Sequence, residues 1–409
     1  MKSHFGRSIG LIYLFEFLKN LQFFGPVAIF FYLDWAKIDY TRMFLLEATF
    51  VLFMFLLDVP TGLIADRFGR KWSLVLGGVI SGISFAIFGL LNSYPVFFFA
   101  NFMCALGFAL LSGADRALLF DTLKTAGRDG EARHFFTRSE AFSTAGMLVA
   151  FPLGSLFAGS TILPYPQGLP LTFLISGISF ALAGAAACFI PEPPRAEKVG
   201  KPLKEGVEGF LFLFRHPGMR LYSFNFAMVS ASTFFVYWFY QTLCRAGGLP
   251  VGANGFVGAG FNLAGMVLLW NAAKLEKIVG LKRLLFVSAI LPGALYIGLG
   301  FTMSPWFSLP AVFFIAGMKQ LRAPLLSDLM NRLTDSRNRA TVLSGVSMLE
   351  RGIMFLFYPL VGLIADRSLS CLFFFLGGVT VLFAVLSRIP SGYALEEKKN
   401  PSDAENPFR

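Results

Sequence analysis

The sequence predicts an all-α integral membrane protein with twelve transmembrane helices, arranged as two pseudo-symmetric six-helix bundles. Three observations predict this fold. The 409 residues are 56% hydrophobic and 14% charged, with 50 phenylalanines, so polar side chains are too few to cover a water-soluble chain of this size. Long apolar runs recur along the whole chain, and the basic residues between them fall in alternate loops.

Twelve apolar runs are long enough to cross a bilayer, which takes roughly 20 residues in a helix. We name them spans 1 to 12 in chain order. They cover about residues 8–33, 41–64, 72–92, 95–122, 139–160, 171–190, 220–243, 252–273, 281–301, 306–330, 340–364 and 369–388. The first run resembles a signal peptide, but Glu16, Lys19 and Asn20 interrupt it and no small-residue cleavage site follows, so span 1 is expected to be retained.

The distribution of lysine and arginine predicts the orientation in the membrane. Short cytoplasmic loops are rich in these residues. Only four of the basic residues in loops fall on the opposite side, namely Lys37, Arg42, Arg245 and Arg367. We therefore expect a multi-pass protein of the inner (plasma) membrane with both termini in the cytoplasm. The net charge of +11 is spread over short loops and forms no continuous patch, so no nucleic-acid partner is expected.

The predicted domains follow from the one long polar segment. Residues 1–190 form an N-terminal six-helix bundle, 191–219 a cytoplasmic linker with an amphipathic helix, 220–390 a C-terminal six-helix bundle, and 391–409 a disordered cytoplasmic tail. The two bundles repeat each other: FPLGSLFAG in span 5 matches YPLVGLIAD in span 11, and RALLFD in span 4 matches RAPLLSD in span 10. Membrane proteins duplicated in this way place a central site between their halves.

No catalytic or metal-binding motif is visible. The four cysteines have no CxxC spacing, so neither a disulfide nor a metal site is expected. The sequence has no nucleotide-binding loop, no HExxH motif and no nucleophile elbow. We expect no enzyme activity and no cofactor.

The loop between spans 2 and 3 reads GLIADRFGRKWSL and resembles the signature loop of the major facilitator superfamily, GxLaDrxGRkxxL. The resemblance implies a transporter that works by rocker-switch alternating access, in which this loop is a conformational latch. The residues that carry it are Gly62, Asp66, Arg67, Gly69, Arg70 and Lys71. A weaker copy follows span 8, with Glu276, Lys277, Gly280, Lys282 and Arg283. The string GLIADR recurs at 362–367, but on the opposite side of the membrane, and we assign no latch role to Asp366.

Charged residues inside spans are costly unless they face a cavity or a partner. Glu16, Glu350 and Glu47 are therefore candidates for proton coupling. Glu16 either faces a central cavity or forms a packing pair with Lys19, and Glu350 either pairs with Lys319 or Arg322 or carries the proton. The candidates for lining a substrate cavity are Lys19, Asn20, Phe23, Tyr240, Gln241, Asn262, Lys319, Arg322 and Arg351. Asp58, Asp115, Arg116 and Asp121 lie toward the cytoplasmic ends and are expected to form interhelix pairs.

The function expected from this resemblance is secondary active transport, specifically proton-coupled efflux of a small amphiphilic compound by an efflux-like bacterial member of the family. The proton gradient is the expected energy source. The expected partners are the lipid bilayer, the small-molecule substrate and protons, and the expected oligomeric state is a monomer. The alternatives are uptake or facilitated diffusion of an anionic metabolite, lipid translocation, and a membrane sensor without transport.

Overall fold

The structure is a computed structural model that describes residues 2–159, 163–193, 211, 217–332 and 339–386. Within these residues the protein is helical without β-strands, which confirms the predicted fold class. The amphipathic helix predicted near 202–214 lies outside the described residues except for residue 211, and the predicted tail at 391–409 lies outside them entirely.

The described helices group into twelve spans in the predicted order. Nine helices in the described residues are long and apolar enough to cross a membrane. Spans 1 to 6 contain the helices Lys2–Lys19, Tyr40–Phe68, Arg70–Leu90, Tyr94–Leu111 with Ala114–Thr125, Ala132–Ala158, and Gly168–Ala187. Spans 7 to 12 contain Pro217–Phe234 with Val236–Ala246, Asn254–Trp270 with Ala272–Val279, Leu281–Phe301, Pro305–Arg332, Arg339–Arg367, and Leu369–Leu386.

Spans 7 and 8 each break at a single residue, 235 and 271, and two further spans predicted to be continuous are also interrupted. Span 1 leaves the α-helix after Lys19 and continues through short helical turns over residues 25–35, beginning with Gly25–Val27, where Pro26 stands at the start of a turn. Span 4 breaks at Gly113, which has a φ of +75°. A left-handed residue cannot continue a right-handed helix, so the chain changes direction there. The breaks in spans 1 and 4 lie close to charged residues described below.

The chain forms two compact units. The first consists of Met1–Gly200 together with Cys244–Ala259 and Tyr358–Asp366, and the second of Lys201–Leu243, Gly260–Phe357 and Arg367–Arg409. The first unit therefore includes, besides spans 1 to 6, the segment from the end of span 7 to the start of span 8 and the segment at the end of span 11. The predicted topology places both segments on the outer side.

Glycines bring the backbones of two spans together in each unit. In the first unit, a Cβ atom added to Gly82 of span 3 would lie 2.8 Å from the carbonyl oxygen of Gly177 in span 6. In the second unit, a Cβ atom added to Gly377 of span 12 would lie 2.8 Å from the carbonyl oxygen of Gly293 in span 9. Only a residue without a side chain permits such an approach between membrane helices. The same contact at equivalent positions agrees with the predicted duplication.

Candidate functional site

The signature loop forms a tight turn closed by a carboxylate from the segment that follows span 6. Gly69 ends span 2 with a φ of +107°, and span 3 begins at Arg70. The Glu192 carboxylate accepts hydrogen bonds from the backbone N–H groups of Arg70 (2.8 Å) and Lys71 (3.0 Å). An anion is favourable there because the first N–H groups of a helix have no partner within the helix. Glu192 therefore fixes the start of span 3.

The side chain of Arg70 fastens the turn to span 4. Its guanidinium donates to the carbonyl oxygen of Ala117 at 2.6 Å and pairs with Asp121. Asp66 and Arg67 lie on the exposed last turn of span 2. A Cβ atom added to Gly62 would meet no atom of the described residues within 4 Å, so a side chain has room at this position. The latch role of the loop stays a prediction.

The two loop glycines are expected to respond oppositely to alanine. Gly69→Ala should lower the Tm of the purified protein, because a side chain is strained at this φ by about 1–3 kcal/mol and would lie 2.9 Å from the Glu192 carboxylate. Gly62→Ala is the matched control, since alanine inside a helix is about 0.5–1 kcal/mol better than glycine and has open space here. Equal Tm values for the two variants would contradict this account of the turn.

The second GLIADR string contacts the start of span 2. The Asp366 carboxylate accepts hydrogen bonds from the backbone N–H groups of Tyr40 and Thr41, both at 2.9 Å, and from the Thr41 hydroxyl at 2.5 Å. A Cβ atom added to Gly362 would lie 2.8 Å from the Thr41 Cα. No latch role was assigned to Asp366 from the sequence, but its carboxylate caps the N-terminus of the span 2 helix. We name this contact the outer cap.

A second outer contact joins spans 1 and 7. Arg245 pairs with Asp34, and its guanidinium lies 3.8 Å from the centroid of the Phe30 ring. The Tyr165 hydroxyl donates to Asp34 and accepts from Arg245 at 2.6 Å. Burial, together with the neighbouring Asp34 carboxylate, raises the pKa of Tyr165, so its hydroxyl stays protonated near neutral pH. Both outer contacts lie within the first unit.

Glu16, Lys19 and Asp115 form a charged cluster between spans 1 and 4. The Lys19 ammonium lies 2.9 Å from the Glu16 carboxylate and 2.5 Å from that of Asp115. All three side chains are largely buried, with 17% or less of each exposed. The predicted Glu16–Lys19 pair is therefore present, and Asp115 joins it as an interhelix partner. We name these three residues the acidic cluster.

Two other candidates in span 1 make structural contacts. The Asn20 side-chain amide donates to the Glu16 carbonyl oxygen at 2.8 Å, at the point where the helix ends. Phe23 is buried, with its ring centroid 6.2 Å from that of Phe157 in span 5. Asn20 thus holds the end of the helix that carries the acidic cluster.

Glu350 and Lys319 meet at a serine in the second unit. The Ser230 hydroxyl donates to the Glu350 carboxylate at 2.5 Å and accepts from the Lys319 ammonium at 3.4 Å. The predicted association of Glu350 with Lys319 therefore runs through the Ser230 hydroxyl. Arg322 takes no part in it: its guanidinium donates to Asn225, Ser288 and the Leu285 carbonyl oxygen.

The remaining candidates of the second unit pack among aromatic and polar groups. Tyr240 and Gln241 are both buried, and the Tyr240 ring lies 5.0 Å from that of Phe261. Asn262 and Arg351 are half-buried. The contacts of these four residues do not by themselves mark a binding site.

Glu47 belongs neither to the acidic cluster nor to the group formed by Lys319, Ser230 and Glu350. It is half-buried in span 2, close enough to interact electrostatically with Tyr32 and Cys104. Its carboxylate has no hydrogen-bond or ion-pair partner among the described residues.

Sequence analysis did not find Glu192, Asp366, Ser230, or the contact of Asp34 with Arg245. Each of these contacts joins segments more than 100 residues apart, so no local pattern reveals it. The only available indication was the repeated GLIADR string, which places an acid in the same position relative to glycine in both copies.

Two units built from long apolar helices, with charged clusters inside the predicted spans and polar contacts at their ends, define a multi-pass membrane protein. A family model described as "Major Facilitator Superfamily" matches residues 9–318. The chain belongs to the major facilitator superfamily, and it is a transporter and not an enzyme.

The relatives that the chain matches have low sequence identity to it. The chain is 25% identical over 187 residues to a glucose/galactose transporter of Brucella abortus biovar 1 (strain 9-941), a match that spans 44% of either chain. It is 22% identical over 352 residues to an MFS-type transporter, YxaM, of Bacillus subtilis (strain 168), which covers 82% of this chain and 84% of the relative.

Solved structures support the fold. The nucleoside transporter NupG superposes with a TM-score of 0.78 at 14% identity, covering 93% of this chain and 98% of that one. A bacterial homologue of the lysosomal transporter Spinster, solved in an inward-facing and unoccupied conformation, gives a TM-score of 0.75 at 16% identity, covering 98% of this chain and 100% of that one. At these identities the likeness concerns the fold alone.

Proposed function

We propose that this transporter exports a small amphiphilic cation across the inner membrane in exchange for protons, by rocker-switch alternating access. The observation that carries the proposal is the charge of the acidic cluster. Two carboxylates, Glu16 and Asp115, share the single ammonium of Lys19, so the cluster has a net charge of −1 when all three are ionised. Either one proton or one organic cation neutralises it.

The second charged group supports this assignment by contrast. Lys319 and Glu350 carry one charge of each sign, joined through Ser230, and are already neutral together. A buried group that is neutral gains little from a proton, whereas a buried group with a net charge gains much. Glu16 is therefore the proposed proton carrier, with Glu140 of span 5 close enough to add to the negative potential.

Competition between a proton and a cation for one site produces exchange. Binding of either ligand weakens binding of the other by the same factor, since coupling between two ligands is reciprocal. The carrier then crosses with one or the other, and the inward proton gradient drives the cation outward. Glu47 is a second proton site in this proposal, because its carboxylate has no partner among the described residues, but the cation competes with a proton only at the acidic cluster.

The test measures tetraphenylphosphonium binding to the purified protein by thermal shift at pH 6, 7 and 8. A ligand that binds the folded state raises its Tm by mass action. We expect tighter binding at higher pH, by up to about tenfold per pH unit for exchange with one proton. Glu16→Gln should remove this pH dependence. The matched control is Glu350→Gln, which should keep it.

Uptake of a sugar-like metabolite is a second candidate, favoured by the Brucella glucose/galactose transporter as a relative. Glucose and galactose are therefore included in the same experiment. A Tm increase with either sugar, and none with tetraphenylphosphonium, would replace export by uptake. Unchanged pH dependence in Glu16→Gln would remove Glu16 as the proton carrier.

A further inference from the structure

A cavity in the second unit is separate from the charged groups described above. Its volume is about 620 Å³, and it lies where spans 7, 9, 10 and 12 meet near the start of span 9. None of Ser230, Lys319 or Glu350 lines it. Three cations do: Lys282, Arg283 and Arg322. We name it the basic cavity.

Arg322 in the wall of the basic cavity carries an unbalanced charge. Only 6% of the residue is exposed, and its guanidinium donates to neutral acceptors on Asn225, Ser288 and Leu285. Its Nε–H is buried without an acceptor, and no carboxylate in the described part of the chain pairs with it. A buried cation without an anion is strongly unfavourable. The site is therefore incomplete without a negative charge.

The first unit supplies such a charge at the equivalent place. Gly69, with φ +107° and ψ 149°, precedes span 3, and Gly280, with φ +83° and ψ 143°, precedes span 9. Glu192 caps the first N–H groups of span 3. In the described part of the chain, no side chain accepts a hydrogen bond from the first backbone N–H groups of span 9.

The sequence explains this difference between the two units. The residues after span 6 read IPEP at 190–193, and those after span 12 read IPSG at 389–392. Serine stands at 391 where the first repeat has Glu192. The second repeat therefore carries no acid at this sequence position, while Lys282 and Arg283 add positive charge to the first turn of span 9.

We propose that the basic cavity binds a phosphate-bearing anion. Helix N-termini and arginine side chains are the groups that most often hold phosphate in proteins. Exposed Arg283 and half-buried Lys282 stand at the mouth, one turn before Leu285, where Arg322 binds the backbone. Apolar side chains, including Leu285, Phe286 and Leu326, form most of the remaining wall.

The anion has two possible sources. An anionic phospholipid headgroup fits the apolar walls and the position of Lys282 and Arg283 at the predicted cytoplasmic end of a span, where basic pockets attract acidic lipids. A soluble phosphate compound would be bound by the three cations and would make no use of the apolar walls. The cation positions are the same for both sources.

The experiment measures the Tm of the full-length protein against four probes: phosphatidylglycerol and phosphatidylcholine in mixed micelles, inorganic phosphate, and glycerol 3-phosphate. We expect a concentration-dependent rise with phosphatidylglycerol or with the soluble phosphates, and none with phosphatidylcholine. A rise with phosphatidylglycerol alone assigns the lipid, and a rise with the soluble probes assigns a soluble ligand. No rise with any of these three anions would overturn the proposal.

Substitutions of the cations that line the basic cavity test whether the probe binds there. The double variant Lys282→Gln, Arg283→Gln is expected to weaken the affinity for the responding probe at least about tenfold, because each surface cation contributes about 1 kcal/mol to binding an anionic lipid. Arg322→Gln should weaken it further. The matched control is Lys274→Gln, Lys277→Gln, which removes two cations from Ala272–Val279 outside the cavity. Equal losses in the two double variants would indicate diffuse surface charge and overturn the proposal.

The chain itself carries acidic residues that serve as a last control. Glu396 and Glu397 lie in the sequence after span 12. In the variant Glu396→Gln, Glu397→Gln the affinity is expected to equal that of the unmodified protein. Binding that appears only in this variant would mean that the protein's own carboxylates occupy the cavity.

Discussion

Replacing Lys19 with methionine is expected to reduce transport to less than about a tenth of its original rate. The substitution leaves the Glu16 and Asp115 carboxylates close together without the ammonium that lies 2.9 and 2.5 Å from them. Removing one partner of a buried charge group costs about 3–5 kcal/mol when the remaining charge stays uncompensated. The two carboxylates then share one tightly held proton, because two like charges without a cation between them are unfavourable, and release of this proton becomes too slow for exchange. Efflux of tetraphenylphosphonium from proteoliposomes with an imposed pH gradient measures the effect.

The double variant Lys19→Met, Asp115→Asn is the matched control for this prediction. It returns the acidic cluster to a net charge of −1 with Glu16 alone. We expect part of the pH-driven transport to return, since the proposed carrier again gains one proton and loses one. A double variant as inactive as the single variant would mean that Lys19 acts through its contacts and not its charge. Full activity in Lys19→Met would exclude the cluster from the transport cycle.

Replacing Asp366 with alanine is expected to open the outer cap. The change removes three hydrogen bonds to the start of span 2, two from backbone N–H groups and one from the Thr41 hydroxyl. Loss of a helix cap costs about 0.5–2 kcal/mol, which changes an equilibrium between two conformations by up to about thirtyfold. Distances between spin labels on exposed Leu45 and Leu363 would report the change, in a background without the exposed Cys188 and Cys371.

Asp39→Ala separates capping from the contact with span 11. The Asp39 side chain also caps span 2, because it accepts a hydrogen bond from the Arg42 N–H at 2.7 Å. Asp39 directly precedes span 2 in the chain, and its side chain makes no hydrogen bond or ion pair with another span in the described residues. We expect Asp39→Ala to lower the Tm without lengthening the distance between the labels. If both aspartate variants lengthen it equally, fraying of span 2 and not release of span 11 explains the opening.

Composition and the distribution of charge predicted the membrane spans because both properties act locally. A bilayer imposes the same length and apolarity on every crossing helix, so spans 3 and 9 can be recognised without knowing their neighbours. The family followed from Gly62–Leu74, where spacing and residue type agree. The interruption of span 1 was missed, because residues 20–35 are as apolar as a continuous helix and hydropathy does not distinguish the two.

The direction in which a side chain leaves its helix was harder to predict. Lys319 and Arg322 lie three residues apart on span 10, and the sequence offered both as partners of Glu350. The structure directs Lys319 to Ser230 and Arg322 to Asn225 and Ser288. This choice depends on acceptors supplied by spans 7 and 9, some 34 to 97 residues away. A single sequence contains no local pattern that links them.

The glycine contacts also bear on how the protein is made. Span 3 meets span 6 through Gly82 and Gly177, and span 9 meets span 12 through Gly293 and Gly377. During synthesis, the earlier helix of each pair enters the bilayer while its partner is still unmade, with lipid against its glycine face. Each half therefore completes its packing only when its last helix is inserted. We expect a nascent chain arrested after span 5 to be degraded faster than one arrested after span 6, a difference that pulse-chase labelling measures.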